Sequence, residues 1–135
     1  MIGYLRNTSR AFIYSTGLSP ANVGCSLEAL KIAQNDKDLR KRLLQNASYL
    51  REGLKGAGFQ VNGLYQIMTI MVEDNIKVMK FQKLLEERGI FVTGIRPPTV
   101  PTARLRISVM AVHTKKQLDA AIDGFKEAGK ELGLI

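Results

Sequence analysis

One segment restricts the fold more than any other: Gly94–Met110 reads GIRPPTVPTARLRISVM and holds three of the chain's four prolines. Proline fixes φ and has no backbone N–H group, so this connection cannot be helical and has few conformations open to it. Directly after it, apolar and polar residues alternate from Ala103 to Val109. An alternation with a period of two is typical of a strand with one buried face. The segment therefore predicts a stiff loop that leads into a half-buried strand.

Helical and strand patterns account for the rest of the chain. Apolar residues at helical spacing predict four helices, at about 20–34, 36–56, 75–88 and 114–132. Three of these helices also have an N-cap signal: Ser19 for the first, Asn35 or Asp36 for the second, and Thr114 for the last. Short apolar or β-branched runs predict further strands at Ala11–Thr16, 59–61, Gln66–Val72 and Ile90–Ile95. This order predicts an α+β fold, a two-layer sandwich in which helices cover one face of a small mixed or antiparallel sheet.

The composition of the chain indicates which kinds of partner and binding site are not expected. The net charge is +8, but the 20 lysines and arginines are spread along the chain and aromatic residues make up only 7%, so we expect no nucleic-acid partner. The apolar runs are too short to cross a bilayer, and we expect no membrane association. With one histidine and one cysteine, a metal site is not expected. The single Cys25 excludes an internal disulfide and indicates a reducing, cytoplasmic compartment.

Two features of the opening segment could serve a binding site. Arg104 and Arg106 lie on the strand face opposite the apolar residues, where a guanidinium could hold a carboxylate through two parallel hydrogen bonds. They could equally be surface arginines whose stems cover apolar area, and the pattern does not select one of the two. The stiff loop could present Thr99 to a ligand at little entropic cost, or be a rigid connection only. His113, next to the Thr114 N-cap, is interpreted as a loop residue rather than a catalytic base.

Four motifs in the same order resemble the C-terminal part of the α-oxoamine synthases. They are FIYSTGLSPA, GIRPPTVP, TARLRIS and AVHT, and the match is collinear from about Tyr4 to Ile135. The resemblance implies the C-terminal domain of a fold-type I pyridoxal-phosphate enzyme, with pyridoxal 5′-phosphate as the cofactor of the parent protein. It also implies a homodimer that condenses a small amino acid with an acyl-CoA. Such a protein would join alanine to pimeloyl-CoA with decarboxylation, or glycine to acetyl-CoA.

The same resemblance implies roles for individual residues. Arg106 matches the arginine that binds the amino-acid carboxylate, and Thr99 matches the loop threonine beside substrate and cofactor. Ser15 and Thr16 match a hydroxyl pair that contacts the cofactor phosphate of the partner subunit. The family pattern has two more residues, one of them a glycine, between Pro101 and Thr102.

The resemblance further implies that no catalytic residue lies in this chain. The family lysine that holds the cofactor precedes the Ser15 position by about thirty residues, whereas the first lysine here is Lys31. We therefore expect a fragment that is inactive alone and binds no cofactor by itself. Residues 1–34 would lead from the absent large domain, with a phosphate-contacting strand and a linking helix, and residues 35–135 would form the small domain. The competing hypothesis is a free-standing ferredoxin-like domain that binds a ligand or another protein.

Overall fold

Six helices and four strands make up the chain, for which the computed structural model describes residues 1–135. The residues group into two units, Met1–Asp36 and Lys37–Ile135. The N-terminal unit contains three helices: α1 (Ile2–Thr8), α2 (Arg10–Ile13) and α3 (Pro20–Asn35). No residue of these helices is buried.

Helix α3 begins where the sequence predicts. The Ser19 hydroxyl accepts a hydrogen bond from the Asn22 N–H group at 3.3 Å, and Pro20 occupies the first helical position. Proline is favoured there because its missing N–H group would have no partner within the helix. The predicted helix at 20–34 is therefore confirmed, with its end one residue later.

The predicted strand Ala11–Thr16 is wrong. Its first three residues belong to α2, where the N–H groups of Ile13 and Tyr14 donate to the carbonyls of Ser9 and Arg10. Ser15 and Thr16 follow in irregular backbone. Aromatic and β-branched residues favour a strand only where another strand is present to pair with. The N-terminal unit contains no strand, so the short run closes one helical turn instead.

The C-terminal unit carries the sheet. Its elements are α4 (Lys37–Gly56), β1 (Val61–Asn62), β2 (Ile67–Glu73), α5 (Asn75–Glu87), β3 (Thr93–Ile95), β4 (Ala103–Ser108) and α6 (Lys115–Glu131). The strands lie in the order β1-β2-β4-β3, and every neighbouring pair is antiparallel. Helix α5 packs on β2, β3 and β4, while α6 packs on α4 and α5. The predicted two-layer α+β sandwich is confirmed, with an antiparallel rather than a mixed sheet.

Three phenylalanines lie at the centre of the core between helices and sheet. Phe59 follows α4, Phe81 lies in α5 and Phe125 in α6, and all three are buried. The rings of Phe59 and Phe81 stack at 5.9 Å, and the Phe125 ring meets them edge-on at 6.2 and 5.7 Å. Edge-to-face and stacked pairs each add about 0.5–1.5 kcal/mol beyond the burial of their area. We call Phe59, Phe81 and Phe125 the phenylalanine cluster.

All three helices of this unit end with the same pair of backbone hydrogen bonds. At the end of α5, Gly89 N–H donates to Glu86 and Ile90 N–H donates to Leu85, and Gly89 takes a φ of +76°. This is the Schellman arrangement, in which glycine adopts the left-handed conformation that other residues avoid. Helices α4 and α6 end likewise, at Phe59 and Leu134.

The predicted strand Ile90–Ile95 is therefore too long by three residues. Ile90 is part of the helix cap, and pairing with β4 begins only at Thr93. The N–H group of Ile90 is already used by the carbonyl of Leu85, so it is not available for a strand. The helix cap thus overrides the β propensity of the IFV run.

The phenylalanine cluster leaves no room for a methyl group on α6. A Cβ added at Gly129 would overlap atoms of the Phe59 ring. We expect Gly129→Ala to lower the free energy of unfolding by about 1–3 kcal/mol, the usual cost of overpacking a core. Gly56→Ala is the matched control, because a Cβ there meets nothing within 4 Å. Urea denaturation measures both, and equal stability of the two variants would contradict this packing.

The N-cap of α5 predicts that the stability of the folded chain depends on pH. The Asp74 carboxylate accepts hydrogen bonds from the N–H groups of Ile76 and Lys77, both at 2.7 Å, and these hold the pKa of Asp74 below its ordinary value. The stabilisation from this lowered pKa is present above the ordinary value of 3.8 and disappears as the pH falls through the folded-state pKa.

Asp74→Asn keeps a side-chain acceptor at the N-cap but removes the titration. We expect the wild-type chain to lose its stability advantage over Asp74→Asn when the pH is lowered from 6 to 2.5. Urea midpoints measured across that range test the expectation, and a difference that does not change with pH would refute it.

Candidate functional site

Strand β4 divides its side chains between the core and the open face of the sheet. Ala103, Leu105 and Ile107 are buried under the helices, whereas Arg104, Arg106 and Ser108 alternate with them on the opposite face. The predicted half-buried strand is confirmed. Both arginines are thus held on a rigid element, on the side of the sheet that α4, α5 and α6 leave uncovered.

The two arginines differ in what they contact. Arg104 is half-buried, and its Nε donates to the carbonyl of Thr102 at 3.1 Å, so it closes the end of the preceding loop. Arg106 is exposed, and none of the hydrogen bonds or ion pairs of residues 1–135 involves its guanidinium. Five N–H donors therefore remain open on Arg106 for an anionic group. The chemical difference between the two arginines could not be read from the alternation.

The loop between β3 and β4 contains a tight turn. The N–H group of Thr99 donates to the carbonyl of Arg96 at 3.1 Å, and the peptide bond between Pro97 and Pro98 within this turn is cis. Thr99 is exposed, and its hydroxyl has no hydrogen-bond partner in the chain. The turn and the Arg104 contact restrain the loop at its two ends, as expected for a stiff connection.

Strand pairing brings two threonines beside Arg106. Thr69 of β2 and Thr93 of β3 are the direct cross-strand partners of Arg106, one on each side. Direct partners in an antiparallel sheet project from the same face. Sequence reasoning did not assign these threonines to the site, because the register of three strands cannot be read from one sequence. The one available signal was Thr69 itself, the only polar residue in the apolar run IMTIMV.

His113 has a structural role. Its Nδ1 accepts a hydrogen bond from the Met110 N–H group at 3.3 Å, and its carbonyl accepts one from the Asn46 side chain at 2.9 Å. The next residue caps α6 through a reciprocal capping box between Thr114 and Gln117. The interpretation of His113 as a loop residue rather than a base agrees with these contacts.

Ser15 and Thr16 belong to the N-terminal unit. Both lie in the exposed irregular segment between α2 and α3, and neither hydroxyl has a hydrogen-bond partner within the chain. Hydroxyl groups can donate to phosphate oxygens, so two adjacent free hydroxyls fit one end of a phosphate-bearing cofactor. The chain contains no cluster of three or more His, Cys, Asp or Glu side chains that could hold a metal ion. No helix is long and apolar enough to cross a membrane.

Comparison with known proteins gives consistent matches over nearly the whole chain. The sequence model of the aminotransferase class I and II family matches residues 1–125. The chain is similar to an 8-amino-7-oxononanoate synthase of Lysinibacillus sphaericus, with 43% identity over 98% of this chain and 35% of the relative. The chain thus spans about a third of the length of the curated relatives that it matches.

Two solved structures have the same fold as this chain. One is a serine palmitoyltransferase from S. paucimobilis with bound pyridoxal phosphate and myriocin, with 30% identity, a TM-score of 0.85 and coverage of 98% of this chain and 35% of that one. The other is an 8-amino-7-oxononanoate synthase from Francisella tularensis, with 28% identity, a TM-score of 0.73 and coverage of 99% and 40%. The resemblance to α-oxoamine synthases predicted from the four motifs is confirmed.

The different contacts of the two arginines predict different effects of substitution. We expect Arg104→Gln to free the end of the loop and to speed hydrogen exchange of the Thr99 amide by about two- to tenfold, the usual worth of one hydrogen bond. Arg106→Gln removes no contact within the chain and should leave that exchange rate unchanged. Amide exchange followed by NMR measures both variants. Equal acceleration in the two would mean that the Arg104 contact does not restrain the loop.

Proposed function

The chain belongs to the aminotransferase class I and II family, and from this premise we propose that it is the C-terminal part of a pyridoxal-phosphate-dependent acyl-CoA:amino-acid C-acyltransferase. Among these acyltransferases, the 43% identity with an 8-amino-7-oxononanoate synthase favours an 8-amino-7-oxononanoate synthase. The proposed reaction joins alanine to pimeloyl-CoA and releases carbon dioxide and coenzyme A. In this reaction the chain supplies the site for the amino-acid carboxylate.

The open guanidinium of Arg106 is the observation that carries the proposal. An amino acid presents a carboxylate whose two oxygens can accept two parallel hydrogen bonds from one guanidinium. Arg106 is exposed, unpaired within the chain and mounted on the central part of a sheet. A strand holds such a side chain more firmly than a loop does. In the proposed role, Arg106 fixes the carboxylate and thereby the orientation of the α-carbon.

Two further contacts are proposed for the cofactor and the substrate. Ser15 and Thr16 would hold the phosphate of pyridoxal 5′-phosphate through their free hydroxyls, in the partner subunit of a homodimer. When bound, the cofactor supplies an electron sink for negative charge that develops at the α-carbon. Thr99, at the restrained turn of the β3–β4 loop, would lie beside the substrate and help to exclude water.

The remainder of the enzyme is required for activity in this proposal. We propose that the amine that attaches the cofactor in the family lies outside these 135 residues, a proposal supported by the lack of lysine in residues 1–30. We therefore propose that the 135-residue chain alone is inactive and is not expected to bind the cofactor. We also propose that the whole enzyme works in the cytoplasm, as the single cysteine suggests.

The role of Arg106 can be tested in the full-length enzyme that contains this chain. We expect Arg106→Gln to raise KM for alanine by about 10- to 150-fold, because a hydrogen-bonded charge pair is worth about 1.5–3 kcal/mol. The KM for pimeloyl-CoA should change much less. Steady-state kinetics with each substrate varied in turn measures both constants.

Arg42→Gln is the matched control, since Arg42 is an exposed arginine on α4, away from the sheet face. It should leave both constants unchanged. If Arg106→Gln has the same KM for alanine as the Arg42→Gln control, the proposed role of Arg106 is refuted. Replacing alanine by glycine and pimeloyl-CoA by acetyl-CoA in the wild-type assay tests the substrate assignment separately.

A further inference from the structure

We propose that Thr69 and Thr93 complete the carboxylate site around Arg106 as positioning residues, each donating one hydroxyl hydrogen bond to the bound carboxylate. This inference rests on the proposed function and adds to it two residues that the sequence pattern did not reveal. Its basis is the pairing register of β2, β4 and β3.

The register places the three side chains in one row across the open face. Thr69, Arg106 and Thr93 are consecutive direct partners across three antiparallel strands. The Cβ atoms of direct partners lie about 4.5–5.5 Å apart, so each threonine is an immediate neighbour of the arginine. Asn62 is the next residue in this row, on the far side of Thr69. It lies two strands from Arg106, about 10 Å away, and is left out of the site.

The three side chains have donors that no other group in the chain uses. The hydroxyls of Thr69 and Thr93 and the guanidinium of Arg106 make no hydrogen bond within residues 1–135. Arg104, on the next row of the same face, is committed to the Thr102 carbonyl and flanked by the half-buried Met71 and Ile95. The row of Thr69, Arg106 and Thr93 therefore gathers open donors, whereas the adjacent row is mostly apolar.

This set of donors matches the acceptors of a carboxylate. A carboxylate has about four lone-pair sites on its two oxygens, and a guanidinium bound side-on uses two of them. The two outer sites then point away to the two sides of the guanidinium. The threonines flank Arg106 on opposite sides. In the proposed site the Arg106 side chain therefore lies low over the sheet, so that each hydroxyl can donate to the nearer outer site. A neutral amide presents fewer acceptors and would be recognised less well, which makes the row selective for a free amino-acid carboxylate.

Valine substitution tests each hydroxyl, because valine keeps the shape of threonine without the donor. In the full-length, cofactor-loaded enzyme we expect Thr69→Val and Thr93→Val each to raise the calorimetric Kd for L-alanine about two- to tenfold, as loss of one hydrogen bond predicts. The KM for alanine should rise in parallel while kcat changes less. Thr69→Ser and Thr93→Ser retain the hydroxyl and should restore wild-type binding, which a purely structural role of the methyl group would not predict.

Two comparisons separate this inference from the proposed function. Ser108→Ala removes a hydroxyl from the same sheet face but from another row, opposite Ile67, and should bind L-alanine as the wild type does. If both valine variants bind L-alanine as tightly as the wild type while Arg106→Gln does not, the threonine site is refuted and the role of Arg106 stands. If Arg106→Gln also binds normally, the carboxylate role of this face fails altogether. Loss of binding in the serine variants as well would likewise refute the hydroxyl contacts.

Discussion

The contact on which the C-terminal unit depends is the phenylalanine cluster. Its three rings come from the end of α4, from α5 and from α6, so one set of aromatic contacts joins every helix that covers the sheet. The sheet side of this core is built from the buried residues of β2 and β4, among them Ile70 and Leu105. Because the helices are held to one face, the other face remains open. The candidate site exists on that open face, and its geometry is a consequence of how the core is packed.

The strict alternation of β4 links the core to the site. Each buried residue of this strand fixes the direction of the next one, so burial of Leu105 and Ile107 holds Arg106 between them on the opposite face. A shift of one residue in the pairing would bury both arginines without partners, at a cost of several kcal/mol for each charge. The register that surrounds Arg106 with threonines is therefore protected by the hydrophobic core.

Periodicity predicted the four longer helices α3 to α6, the half-buried strand and the face that carries Arg104 and Arg106, but not the short helices α1 and α2. It could not separate these two arginines, because the distinction lies in a contact between Arg104 and a loop carbonyl. It also could not find Thr69 and Thr93, which approach Arg106 only through pairing between distant segments. The strand predicted at Ala11–Thr16 does not form, since strand propensity requires a pairing partner that the N-terminal unit lacks. The division at residue 34 and the roles of Ser15 and Thr16 stay predictions.

The three identical helix ends restrict where a chain of this kind can change its length during evolution. Three residues beyond each helix, the backbone already returns toward the core, at Phe59, Ile90 and Leu134. An insertion at any of these points would pull an anchoring side chain out of its place. The β3–β4 connection has no such anchor between the Thr99 turn and Thr102. Length variation can therefore accumulate in this loop, beside the proposed substrate, and change what the site accepts without disturbing the fold.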